Sequence, residues 1–172
     1  MSVLRKKYGL DRIYEGKLSA REQEVVDLVR HFIIHHLPDA CKQQSGGRGA
    51  VYEQARLAVP TTGYCYLGAQ AVWMLLGGLG SGYIPAIIPR PKGRPDVDTH
   101  WFVIRTSDGL IIDPTSDQFQ GETIPYDRAS DGIGRMSSHL RGDLKVSVTG
   151  KFTPDYKTSV LLDAIKNHTQ GA

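Results

Sequence analysis

Apolar positions recur three and four apart along residues 19–37, "SAREQEVVDLVRHFIIHHL", where Val25, Val26, Leu28, Val29, Phe32, Ile33 and Leu37 predict one face of a helix. Ser19 and Glu22 stand in capping-box spacing at its start, and Pro38 ends it. A second helix, Tyr66 to Leu76 within "GYCYLGAQAVWMLLGG", is apolar nearly all round and so belongs in the core, with Gly77 and Gly78 closing it. A third, Thr158 to Lys166, carries Val160, Leu161, Leu162 and Ile165.

The pattern turns strand-like after Gly82. Tyr83 to Ile88 reads as a short strand, and "HWFVIRTSDGLIID" reads as two strands joined by a two-residue hairpin turn at Asp108-Gly109. A further strand is expected from Leu144 to Phe152. Between these, "CKQQSGGRGAVYEQARL" is Gly-rich and then weakly helical, "VPTTGYC" and "PTSDQF" are loops, and "IPYD" is a short extended piece. Helices come first and strands after, and no repeat or linker divides the chain. The expectation is one α+β domain over residues 1–172, with residues 1–40 as its N-terminal helical part.

Composition narrows the class. The chain has 172 residues, of which 40% are hydrophobic and 23% charged, so it can bury a core and is not of disordered type. Its longest apolar run, Ala69 to Leu76, falls short of the ~18–20 residues of a membrane span. The basic N-terminus lacks the apolar stretch of a secretory signal, so a cytoplasmic location without membrane partners is expected. A net charge of +3 is spread over "RKK" and "PRPKGRP" without interleaved aromatics, which argues against a nucleic-acid partner. The glycines at 77, 78, 80 and 82 do not follow a phosphate-loop pattern, and no cofactor is expected. His31 and His35 stand four apart, as metal ligands can, but nothing like HExxH accompanies them, and they read as helix-surface histidines.

Two cysteines, Cys41 and Cys65, form neither a disulfide framework nor a structural zinc spacing. Cys41 reads as structural. Cys65 stands just ahead of the core helix, and a thiol at a helix N-terminus becomes a nucleophile when a histidine reaches it and a third group orients the ring. His100 at a strand start and Asp113 at the end of the hairpin are the candidates. With a two-residue turn, Ile104 faces Asp113 and His100 faces Asp117, all on one side of the sheet. Asp113 would then lie about 13 Å along from His100, at ~3.3 Å per residue, so a direct bond needs a bulge or a different turn. Asp117 is the in-register alternative, although Pro114 interrupts a regular ladder there. Cys65, His100 and Asp113 as zinc ligands with an open position make a third arrangement.

The pieces "GYCYLGAQAVWMLL", "THWFVI" and "GLIIDPTSDQF", in the order Cys, His, Asp, resemble the papain-like thiol enzymes, above all their transglutaminase-like branch, which includes bacterial and phage proteins. The resemblance spans about residues 60–127. It implies a nucleophile-bearing core helix packed on an antiparallel sheet, with Cys65 as nucleophile, His100 as general base and Asp113 as its orienter. It also implies chemistry on the amide bonds of a protein, a peptide or a small molecule: peptidase, amidase, deamidase or transglutaminase. Two departures stand out. Asp113 comes about two residues early relative to the hairpin turn, which keeps Asp117 as an alternative acid. No glutamine stands a few residues before Cys65; Gln54, eleven residues upstream, and Tyr64 are the candidate oxyanion donors beside the Cys65 N–H itself. The alternative function is a non-catalytic protein-binding module of the same build, such as a phage or bacterial host-interaction protein.

Overall fold

A computed structural model describes residues 3–42, 49–90, 99–135 and 155–170. The expected strand from Leu144 to Phe152 lies outside the described residues. The principal helices and strands follow one another as α1 (Val3–Tyr8), α2 (Ala20–His35), α3 (Asp39–Lys42), α4 (Gly49–Arg56), α5 (Cys65–Leu75), β1 (Tyr83–Ile88), β2 (His100–Arg105), β3 (Ile111–Ile112), β4 (Ser130–Asp131) and α6 (Tyr156–Gln170). The strands form one antiparallel sheet in the order β3-β2-β1-β4, so the chain is mixed α+β. Among the described residues no helix is long and apolar enough to cross a membrane.

Local chemistry accounts for the principal helices. The Ser19 hydroxyl accepts from the Glu22 N–H and the Glu22 carboxylate accepts from the Ser19 N–H, so the capping box at the start of α2 is complete. Helix α5 buries Leu67 through Trp73 without a break, as its sequence requires. It packs on β2, α2 and α6, and the shared core includes Val29, Phe32, Val72, Trp73, Trp101 and Val103. Weakly patterned elements owe their form to tertiary contacts. Helix α1 brings Leu4 against the other face of the sheet, where Phe102, Ile104, Ile84 and Tyr126 make a second core. Strand β4 has only two residues and pairs with Ala86 and Ile87 of β1.

The two faces of β2 therefore carry different tasks. Trp101 and Val103 point into the α5 side, while Phe102 and Ile104 join the second core together with their β1 partners Ala86 and Ile84. His100 begins the strand on the Phe102 side of this alternation.

The hairpin between β2 and β3 corrects the expected turn. Val103 pairs with Ile112 and Ile104 with Ile111, and the Arg105 N–H donates to the Leu110 carbonyl at 2.9 Å. Residues 106–109 thus form a four-residue loop, and Asp117 does not stand opposite His100. The wider loop is held from outside. Arg105 donates to Asp108 at 2.9 and 2.7 Å, and the Tyr14 hydroxyl donates to Asp108 at 2.7 Å. Gly109 has φ +86°, and a Cβ there would meet the Arg12 carbonyl oxygen at 2.0 Å. Residues 12–14 therefore lie so close to the loop that only glycine fits. Arg105 also donates to the buried Glu22 carboxylate at 2.9 and 3.1 Å, tying the hairpin to α2.

Candidate active site

The loop before α5 delivers Cys65. Gly63 takes φ +78°, and the buried Thr61 hydroxyl donates to Asp117 at 2.6 Å, which fixes the approach to the helix. Cys65 is the first residue of α5, where N–H groups lack partners within the helix. Its side chain is half-buried, in contrast to the fully buried Cys41. The Cys65 thiol donates to the Thr99 carbonyl at 3.7 Å and adjoins the His100 ring. Close packing of α5 on the acid-bearing segment depends on Gly68: a Cβ there would lie 3.2 Å from Pro114 and 3.3 Å from Thr115.

His100 and Asp113 are joined directly. His100 Nε2 lies 2.6 Å from Asp113 Oδ2, with side-chain exposures of 5% and 3%. The four-residue loop explains the contact. It moves the pairing by two residues relative to a two-residue turn, so Asp113 follows Ile112 on the face of Phe102, one diagonal step from His100. Burial works against a charge on His100, but the Asp113 hydrogen bond and the Cys65 thiol outweigh it and push the ring up to about 9 from 6.5.

Further groups complete the cluster. The Tyr126 hydroxyl donates to Asp113 Oδ2 at 2.8 Å, and the Thr115 N–H donates to Oδ1 at 2.9 Å. Burial and the Asp113 charge both push the Tyr126 hydroxyl upward, so it stays a proton donor. Gln118 Nε2 lies 3.1 Å from His100 Nδ1 and 3.2 Å from Thr115 Oγ1. Phe119 meets the imidazole edge-on at 4.7 Å between ring centroids. Residue pattern alone does not single out Thr115, Gln118 or Tyr126. The first two lie inside "DPTSDQF", and a helical turn over Ser116–Phe119 is what folds Gln118 back onto His100.

The other candidates stand elsewhere. Asp117 pairs with Arg30 at 2.9 Å and receives the Thr61 hydroxyl. Burial resists its charge, yet Arg30 and Thr61 hold it below the usual carboxylate range. It anchors α2 and the Cys65 loop rather than the imidazole. Gln54 is exposed on α4, and no hydrogen bond described within the Cys65–His100 cluster reaches it. Tyr64 is buried with its ring under the Arg56 guanidinium, at 4.1 Å from the centroid.

His31, His35, His36 and His168 gather at the C-terminal ends of α2 and α6, with the His31 and His35 centroids 5.1 Å apart. Among the described residues no three His, Cys, Asp or Glu side chains are arranged to hold a metal ion. In particular, His100 spends one nitrogen on Asp113, which does not suit Cys65, His100 and Asp113 as a common ligand set. A cavity of about 390 Å³ approaches Asp113 and Tyr126 from the side of Glu15, Asp27 and Arg30. Neither Cys65 nor His100 lines it, so it lies behind the acid and away from the thiol.

The arrangement can do one kind of chemistry well. A half-buried thiol at a helix start adjoins an imidazole whose far nitrogen is held by a sealed carboxylate. No protein-family profile, curated protein or solved structure matches the chain.

Proposed function

We propose that this chain is a thiol-dependent hydrolase or acyltransferase acting on amide bonds, with a papain-like or transglutaminase-like build. The observation that carries the reading is the direct His100–Asp113 bond at 2.6 Å beside the Cys65 thiol at the start of α5.

In this reading Asp113 holds the Nε2–H of His100, and the ring turns Nδ1 to the thiol. Nδ1 takes the Cys65 proton as sulfur attacks the amide carbonyl, then passes that proton to the departing amine. The acyl group remains on sulfur as a thioester until water or a second amine takes it. The Cys65 N–H at the start of α5 is suited to the developing oxyanion. The substrate is a protein, a peptide or a small amide, met in the cytoplasm.

A second reading has one observation in its favour. The thiol donates to the Thr99 carbonyl, as it would in a binding module whose site is unused. Alkylation by iodoacetamide, followed across pH by mass spectrometry at each cysteine, separates the two. For the enzyme, Cys65 reacts at neutral pH far faster than Cys41, whose thiol burial pushes upward. The advantage disappears in His100→Ala. Equal slow reaction at both cysteines, indifferent to His100, would establish the binding module instead.

A further inference from the structure

Four hydrogen bonds close a ring around the imidazole. His100 Nε2 meets Asp113 Oδ2 at 2.6 Å, and Asp113 Oδ1 meets Thr115 Oγ1 at 3.4 Å. Thr115 Oγ1 meets Gln118 Nε2 at 3.2 Å, and Gln118 Nε2 meets His100 Nδ1 at 3.1 Å. The proton directions in this ring are linked to one another. The Thr115 hydroxyl donates its single proton to Asp113 Oδ1 and therefore accepts from Gln118. The Gln118 atom facing Thr115 is therefore the NH₂ group, and the same group faces Nδ1. Turning the amide over would require the Thr115 hydroxyl to leave Asp113 Oδ1 and donate to the amide oxygen instead. Nδ1 is consequently an acceptor, and the proton of the neutral ring sits on Nε2 toward Asp113.

We propose that Gln118 is a positioning residue that donates to Nδ1 of the neutral His100 ring and so restrains proton transfer from Cys65, with Thr115 setting the direction of the Gln118 amide. This rests on the thiol-enzyme reading above. The step restrained is defined atom by atom. The S–H bond of Cys65 breaks and leaves its electron pair on sulfur, and a new N–H bond forms at Nδ1. Two N–H donors then face each other, so the Gln118 contact must be given up as the ion pair forms. The thiol contact to the Thr99 carbonyl belongs to the restrained arrangement.

The ring's charge is set by several neighbours among the described residues. Asp113 and Cys65 favour the imidazolium, and burial opposes it. Tyr126 acts through its bond to Asp113, and the Arg30–Asp117 pair stands beyond. Phe102 and Phe119 contribute ring faces without charge. Gln118 adds a donor at the nitrogen that must be protonated, and so opposes the charge there.

The test is the pH–rate profile of Cys65 alkylation by iodoacetamide in the wild type, Gln118→Met, Thr115→Val and His100→Ala. Gln118→Met keeps the length and removes the donor. It is expected to raise the rate near pH 6.5 by about three- to tenfold, the worth of one hydrogen bond, and to move the profile to lower pH. Thr115→Val frees the amide to turn over and is expected to shift the profile the same way by less. Nitrogen-15 NMR of the imidazole is expected to find Nδ1 gaining its proton at higher pH in Gln118→Met than in the wild type. An unchanged or slower profile in both variants, with His100→Ala still abolishing the fast reaction, would overturn the role of Gln118 and leave the thiol enzyme standing. Indifference to His100→Ala would remove both together.

Discussion

His100 and Asp113 meet at 2.6 Å in surroundings that expose only 5% and 3% of their side chains. A hydrogen bond so sealed is competitive with water only because each remaining lone pair of the carboxylate also finds a donor, in Thr115 and Tyr126. The carboxylate that orients the ring is thus Asp113, while Asp117 serves the packing of α2 against the Cys65 loop.

The two acids are expected to separate cleanly on substitution. Asp113→Asn should slow Cys65 alkylation at pH 7 by about tenfold or more and cut any amide-directed turnover by about 10²–10⁴. Asp117→Asn should leave the alkylation profile within about twofold of wild type. It should lower stability by about 1 kcal/mol, because its ion pair with Arg30 stays in contact with water. Parallel alkylation and urea unfolding of the two variants provide the check. A larger alkylation defect in Asp117→Asn would reassign the orienting acid.

Gly109→Ala attacks the register at its source. The residue has φ +86°, and its Cβ would press the Arg12 carbonyl oxygen at 2.0 Å. Strain at such a position costs about 1–3 kcal/mol, and the clash must be relieved by moving residues 12–14 or the loop. Stability by denaturant titration is expected to fall by at least that strain. Cys65 alkylation should slow with it, since the loop sets where Asp113 meets His100. A fully stable Gly109→Ala protein would contradict the close approach of the two segments.

Glu22 carries a pH signature of its own. Its side chain is 1% exposed and bonded to Arg105, Tyr83 and Ser19. Burial works against its charge, but Ser19, the Tyr83 hydroxyl and Arg105 hold it below its ordinary value of 4.5. A carboxylate depressed in the folded state stabilises the fold above its unfolded value, and this is lost as pH falls through the folded value. Glu22→Gln is therefore expected to cost about 3 kcal/mol at pH 7. The gap from wild type should narrow below about pH 4.5, as read from melting temperatures between pH 3 and 8. A gap independent of pH would show that shape, and not charge, makes the contribution.

Much of the secondary structure is legible from local signals. The Ser19–Glu22 capping box, the apolar period of α2 and the apolar run of α5 act within a few residues of themselves, so the sequence already contains their cause. Strand β1 has the bounds its apolar run predicts, and α6 extends the predicted helix at both ends. The order Cys65, His100, Asp113 and the shared face of the last two are also readable along the chain.

Local pattern thus carries α2, α5, β1 and β2 and the faces their side chains share, while α1 and β4 depend on tertiary contacts. Tertiary structure decided the distances. Asp108-Gly109 is a favoured two-residue turn in isolation, but Arg105 and Tyr14 both claim the Asp108 carboxylate, and residues 12–14 lie against Gly109. Those contacts, with Tyr14 lying 94 residues from Asp108, widen the loop to four residues and carry Asp113 to His100. Gln118 and Tyr126 join the cluster for the same reason: their side chains reach it only after the chain beyond β3 folds back over the sheet. A register is fixed by whichever contacts bury and satisfy the most groups together, and that sum is taken over parts of the chain no local pattern connects.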